Sequence, residues 1–388
     1  MKVLHAFNRH RGGGGLDSAY DATIRIFKAS EVELKIFEKD SGDLQPGLGG
    51  KMNAFFSGIY ARASVREFDR LLSEFRPDVV HAHELFPLIS PWILPRCVKA
   101  GVPIVYTAYD FRITCPMATH FSHGEICHRC LGGREHWAVM RNCRNNYAES
   151  LAFALRSSIA RRFGLLSSNV SEFIVLSKFS KDWLLKEAEI DRERINVIPC
   201  SIPLPDTPTD PAAGEYIAFA GRAVPEKGLG LLIEAARKAN LPLKIANKLA
   251  EFPTVAPGDL IEYVSPNSPE ELAEFYRAAR IVVVPSMWYE TFGIVAAEAL
   301  SHGVPVVASR VGALQDTVQD GITGLLFELN NVDDLTEKIV RLWNDEALCR
   351  TLGAAAYEWV RERFNEEIHF SLHMDTYERA INNPLPRR

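Results

Sequence analysis

Glu290 and Glu298 are separated by seven residues in PSMWYETFGIVAAEALSHGVPVVAS, which starts at Pro285. The stretch reads as a strand end, a loop through Glu290, Thr291, Phe292 and Gly293, and then a helix carrying Glu298. A helix starting near Gly293 offers free backbone N–H groups and the positive end of its dipole, a seat for an anionic phosphate. A carboxylate just ahead of that helix can accept hydrogen bonds from sugar hydroxyls. One inside its first turns can hold a ribose diol. Taken alone, a Glu-x7-Glu pair on an amphipathic helix is more often a solvated face.

A second group is made of sulfur. Cys115, Cys127, Cys130 and Cys143 form C-x11-C-x2-C-x12-C. The central C-x2-C has zinc-ligand spacing, and the flanking pair would complete a closed tetrahedral site of structural type. His120, His123, His128 and His136 are alternative ligands. The segment has little apolar periodicity, so a metal staple would explain how it folds. Four reduced, unligated thiols in an insertion are the competing reading, with an iron–sulfur cluster a distant third.

Two series of strands alternating with helices must position these groups. KVLHAF from Lys2, VELKIF from Val32, DVVHAH from Asp78, PIVYTA from Pro103 and EFIVLS from Glu172 form the first. YIAFAG from Tyr216, LKIANK from Leu243, LIEYVS from Leu260, IVVVPS from Ile281, PVVASR from Pro305 and TGLLFE from Thr323 form the second. Short Val/Ile-rich runs between helical segments predict parallel sheets with crossover helices. The Pro- and Asp-rich segment Cys200–Gly214 reads as a linker. The expected fold is α/β, with two doubly wound Rossmann-like domains facing each other across a cleft. Ligands are expected at the carboxyl ends of the strands. The domains are placed at 1–200, with a Cys-rich insertion near 112–145, and at 201–365. A C-terminal helix over 366–388 is expected to return to the first domain.

Composition narrows the function. Among 388 residues, 47% are hydrophobic and the net charge is -5. The balance gives no basic excess for nucleic acid, and no apolar run reaches the roughly 20 residues of a spanning helix. A cytoplasmic protein is expected. The insertion is locally basic, with Arg129, Arg134, Arg141, Arg144, Arg156, Arg161 and Arg162. LAFALRSSIARRFGLL, from Leu151, reads as an amphipathic helix with a cationic patch. Its ordinary reading is a core-facing helix with a solvated side; its sharper one is peripheral contact with an anionic membrane, at the inner face, or with a lipid-diphosphate acceptor.

Glu290-x7-Glu298 after a "PS" strand end resembles the E-x7-E signature of family 4 glycosyltransferases. GRAVPEKG from Gly221 resembles that family's G-R-x-x-x-x-K-G element, and GVPVVAS from Gly303 and DGITGLLF from Asp320 follow in the family's order. RGGGG from Arg11 resembles its glycine-rich loop, and INVIPCSI from Ile195 its linker entry. Some members also resemble the cysteine arrangement, after the element seen here as DFRITCP. The resemblance implies the GT-B fold and a retaining transferase acting without a catalytic metal, so no cofactor is expected beyond a structural zinc. It implies that Arg222 and Lys227 bind the donor diphosphate and neutralise the leaving group, as two fixed cations can. It implies that Glu290 contacts the transferred sugar near the amides of Phe292 and Gly293. Glu298 would hold the ribose, and Val264 would lie against the base. Gly13 and Gly14 would let the first loop approach the donor, with Asp110 also on the donor side and His83 either approaching the donor or packed in the core. The implied partners are a UDP- or GDP-sugar and a glycan or lipid-linked acceptor, with no nucleic acid.

The chain departs from the family pattern at three points. Tyr109-Asp110 stands where a His-Asp pair is common, Gln315 where a carboxylate is usual, and Cys200 where Asn is common. Two alternatives follow. One is a GT-B nucleotide-sugar epimerase, which needs no acceptor. The other is a degenerate, non-catalytic protein that binds sugar nucleotides.

Overall fold

The computed structural model describes residues 1–10, 14–44, 47–247 and 260–386. The chain divides into two compact units, one of Met1–Ser122, Cys127–Ser201 and Glu366–Arg388, the other of His123–Ile126 and Ile202–Asn365.

The first unit is built on six parallel strands, β1 (Lys2–Arg9), β2 (Glu33–Asp40), β3 (Val79–Ala82), β4 (Ile104–Ala108), β7 (Glu172–Val175) and β8 (Ile195–Val197). Between β4 and β7, the short strands β5 (Phe121–Ser122) and β6 (Glu125–Ile126) pair with each other. The sheet order is β2-β1-β3-β4-β7-β8. Successive side chains point to opposite faces, and both faces are covered. Leu4, Val80, Ile104, Tyr106 and Phe173 enter one core, while Val3, Val79, Val105 and Ile174 enter the other. Burial on both sides is why the inner strands β1, β3, β4 and β7 read as largely apolar runs. The second core is completed by Tyr377 and Ala380 of the helix Glu366–Asn382.

The second unit carries β9 (Tyr216–Ala220), β10 (Leu243–Ala246), β11 (Ile261–Val264), β12 (Ala279–Val284), β13 (Val306–Ser309) and β14 (Gly324–Phe327) in the order β11-β10-β9-β12-β13-β14. All pairings are parallel. Ile217, Phe219, Ile245, Ile281, Val283, Val307 and Phe327 meet Leu232 and Ala236 of the helix Leu229–Ala239 and Leu335 and Ile339 of the helix Val332–Asn344. The chain leaves β9 toward β10 on one side and later returns through β12 on the other. The carboxyl ends of β9 and β12 therefore flank the switch point where open α/β sheets bind ligands.

No described helix is long and apolar enough to cross a membrane. Ile195–Val197, in the segment read as the linker entry, is a strand at the sheet edge, and within the linker Pro211–Ala213 is a 3₁₀ turn with Pro211 and Ala212 buried.

Candidate active site

The loop after β9 holds Gly221, Arg222, Lys227 and Gly228; the loop after β12 holds Ser286, Trp288, Glu290, Phe292 and Gly293. Backbone contact fastens one loop to the other. The Met287 N–H donates to the Glu226 carbonyl at 2.8 Å. Gly228, with φ +69°, sits so close to the Pro285 carbonyl that any side chain would strike it. Only glycine meets both demands at once.

This joint sets the charged groups. Lys227 Nζ donates to Glu290 Oε1 at 2.7 Å, and Ser286 Oγ and Trp288 Nε1 donate to the same oxygen at 2.6 and 2.9 Å. Lys227 also lies over the Trp288 ring, 5.1 Å from its centroid. Burial pushes the Glu290 carboxyl up. The ammonium charge and the hydrogen bonds from Lys227, Ser286 and Trp288 more than reverse that, holding it below the ordinary carboxylate value. Arg222 is exposed and has no ion-pair or hydrogen-bond partner for its guanidinium among the described residues.

Gly293, with φ +89°, precedes the helix Ile294–Ser301. The amides of Phe292 and Gly293 meet no acceptor among the described residues, as expected at a helix start. The Phe292 ring is buried against Phe364, at 5.2 Å between centroids, and only its backbone faces the loop's chemistry. Glu298 lies inside this helix. Its Oε2 accepts from the Tyr276 hydroxyl at 2.9 Å, and burial raises its carboxyl to about 7. Val264 ends β11, where its carbonyl accepts from the Asn247 N–H at 3.0 Å. The Asn247 side chain donates to the Gly221 carbonyl at 2.8 Å, tying the ends of β9, β10 and β11 together.

The other site residues belong to the first unit. Gly13 lies outside the described residues. Gly14 is extended (φ 164°), a backbone open to any residue, so the left-handed freedom expected of the glycine run is not used there. His83 is buried, with Nε2 2.9 Å from His5 Nδ1 and Nδ1 3.0 Å from the Tyr109 hydroxyl. Tyr109 thus meets His83 through its hydroxyl. Asp110 is ion-paired to Arg112, which also engages Glu84.

His5 and His81 face each other in register on β1 and β3. With His83 they form a trio whose ligand nitrogens lie within 4.8 Å of one another. The nitrogens are already in use: His81 bonds the Tyr377 and Thr107 hydroxyls, both at 2.7 Å. Burial pulls all three imidazoles well below their ordinary value, keeping them neutral. The trio is a hydrogen-bonded core.

Cys130 stands among Cys115, Cys127 and Cys143. Burial and then those three thiols push it up to about 12. The donor set suits zinc. Yet no three of the sulfurs fall within 4.8 Å of one another, wider than the about 3.8 Å between sulfurs each about 2.3 Å from one zinc ion. His120 is not free to join them, because its nitrogens bond Thr114 Oγ1 at 2.8 Å and the Cys127 carbonyl at 3.0 Å.

Sequence reasoning missed Ser286, Trp288, Tyr276 and Asn247. The first two stand within four residues of Glu290, so the local string P-S-x-W-x-E held the signal. Tyr276 and Asn247 come from distant elements and left none.

Two family models match this chain, Glycosyltransferase Family 4 over residues 45–204 and Glycosyl transferases group 1 over 208–359. The chain belongs to the GT4-type glycosyltransferases. An uncharacterized glycosyltransferase of Methanocaldococcus jannaschii is 39% identical over 150 residues, covering 37% of this chain and 42% of that protein. A D-inositol 3-phosphate glycosyltransferase of Mycobacterium sp. (strain JLS) is 29% identical over 402 residues, covering 87% of this chain and 88% of that one. In fold, the sucrose-phosphate synthase of Thermosynechococcus elongatus matches with a TM-score of 0.70 at 20% identity, over 97% of this chain and 98% of that one. Anabaena HepE in complex with UDP and glucose matches with a TM-score of 0.63 at 17% identity, over 97% and 100%. The fold is GT-B.

Proposed function

We propose that this glycosyltransferase uses a nucleoside diphosphate sugar and transfers the sugar with retention of configuration to a hydroxyl of a glycan or lipid-linked acceptor. The observation that carries the proposal is the meeting of Lys227 and Glu290 at the switch point, with Arg222 and the amides of Phe292 and Gly293 all without partners among the described residues. Arg222 and Lys227 would take up charge that builds on the departing diphosphate, with the helix N-terminus as a third positive element. Glu298 would accept from the ribose, Glu290 from the sugar, and Val264 would border the base. In this reading the leaving phosphate takes the acceptor's proton on the same face, and no metal acts at the centre. HepE, whose solved complexes hold UDP-glucose, makes a UDP-sugar the first donor to try, with a GDP-sugar second.

The test is nucleotide release from a panel of UDP-, GDP-, ADP- and dTDP-sugars, comparing wild type with Arg222→Ala and Glu298→Ala. Turnover of one donor, lost in both variants, is expected. Turnover of none, without saturable nucleotide binding, would sink the proposal.

Two subsidiary readings follow. The four cysteines would hold a structural zinc that takes no part in the reaction, drawing in thiols that already surround Cys130. The first unit would also touch an anionic membrane surface. Tyr147, Leu151 and Leu155 stand four residues apart on one helix and are all exposed, with Phe163 and Met140 exposed nearby among arginines. Leu151→Glu should weaken cosedimentation with phosphatidylglycerol vesicles at low salt; equal sedimentation of variant and wild type would count against this contact.

A further inference from the structure

Three guanidinium groups converge in the first unit around two phenyl rings. Arg156 lies over Phe153 at 3.8 Å and over Phe86 at 4.5 Å. Arg144 lies over the same Phe153 ring at 4.9 Å, and Arg112 over the same Phe86 ring at 5.9 Å. The neighbouring carboxylates are committed. Glu84 and Asp110 both turn onto Arg112, and Glu149 reaches Arg144 at 3.5 Å. Arg156 alone has no carboxylate, carbonyl or hydroxyl partner among the described residues, although its side chain is only partly exposed.

A guanidinium carries five N–H donors in a rigid plane, and those of Arg156 are open to solvent and meet no acceptor among the described residues. Stacking fixes the plane of Arg156 but satisfies none of its donors. Burial and then the Arg112 charge pull Arg156 down to about 10, against the opposing pull of Glu84 and Asp110. A single anion reaching Arg156 would supply the missing acceptors and screen the like charges. A phosphate group fits best, since its oxygens accept from more than one guanidinium at once.

We propose that Arg156, with Arg112 and Arg144 beside it, is the receptor for a phosphate group carried by the acceptor. Calling the ligand an acceptor rests on the transferase reading above; the phosphate site itself does not. The group is held whether it belongs to a small polyol phosphate or to a lipid phosphate.

Phosphate binding is measured by calorimetry at constant ionic strength in the full chain, for wild type, Arg156→Gln, Arg156→Lys and Arg162→Gln. Each is repeated in an Arg222→Ala background, so that phosphate held at the donor site is not counted. Binding should weaken at least about tenfold in Arg156→Gln and less in Arg156→Lys, which keeps the charge. It should be unchanged in Arg162→Gln, where the same charge is lost from an exposed position. Competition by glycerol phosphate would assign the site to a soluble acceptor. Cosedimentation with phosphatidic acid vesicles that drops in Arg156→Gln but not in Arg162→Gln would assign it to a lipid. If neither probe separates Arg156→Gln and Arg156→Lys from wild type, the proposal falls. Failure of the transferase reading would show separately, as no nucleotide release from any donor.

Discussion

Lys227 Nζ and Glu290 Oε1 are 2.7 Å apart, and they reach each other from loops that leave neighbouring strands. The pair is mostly withdrawn from solvent, and Glu290 keeps its charge only because Lys227, Ser286 and Trp288 all donate to one oxygen. Lys227→Ala should therefore do two things. It removes a cation from the proposed diphosphate site, lowering kcat by about 10²–10³, and it leaves a buried carboxylate whose pKa rises toward neutrality. The check is a pH profile of stability. In wild type, Glu290 contributes stability that is present above its unfolded value of 4.5 and lost as pH falls. In Lys227→Ala that gain should vanish. An unchanged profile would mean that the lysine does not hold Glu290 ionised.

Arg222 makes the opposite case. It is exposed and unpaired among the described residues, so Arg222→Ala should change the free energy of unfolding by no more than about 0.5 kcal/mol, the small range of surface substitutions. Nucleotide release should fall sharply. Activity loss matched by destabilisation would show a structural role instead.

Glu298 gives a pH prediction of reversed sign. Its carboxyl is raised to about 7 by burial, from 4.5 in the unfolded chain. The folded state thus binds the extra proton between those values. The stability this provides is full below 4.5 and is lost as pH rises through about 7, a swing on the order of 3 kcal/mol. Urea unfolding across that window should show stability falling with pH, and Glu298→Gln should flatten the curve. A wild-type profile that is already flat would overturn the assignment.

The cysteines predict metal content. Purified protein should carry about one zinc per chain. Cys127→Ser with Cys130→Ser should lose it, and the melting temperature should drop, while donor hydrolysis in the remaining folded fraction persists. Metal-free wild type with an unchanged melting temperature would leave four free thiols as the answer.

Much of this was legible from residue order. Each of the eleven runs read from the sequence overlaps an observed strand; the inner strands announce themselves by continuous Val and Ile because both their faces are buried, whereas the edge strands β2 and β11 alternate with charged residues and are partly exposed. Ile195–Val197 escaped as a strand because three edge residues make no period. Glu290 and Glu298 were visible through spacing, and their locations in loop and helix followed from Gly293. Their partners were less visible. Tyr276 meets Glu298 from a helix 22 positions earlier in the chain. His5 meets His81 only because β1 and β3 lie in register. Arg156 read as one arginine in a basic stretch; its stacking on two rings without an acceptor among the described residues is a property of the folded neighbourhood, which no single-residue signal encodes.

The helix Glu366–Asn382 has a consequence for how the chain is made. Tyr377 and Ala380 close a core whose other members, Val3, Phe27, Val79, Val105, Ile174 and Ile198, are translated first. The whole of Ile202–Asn365 lies between them. During synthesis the first unit emerges early but cannot finish its interior until the second has been translated, whereas the second needs almost nothing from elsewhere in the sequence. The usual rule that N-terminal domains mature first is thus inverted, and the early unit waits with Phe27 and Val79 uncovered. The ribosome's pace across the second unit sets how long that apolar surface waits for Tyr377 and Ala380.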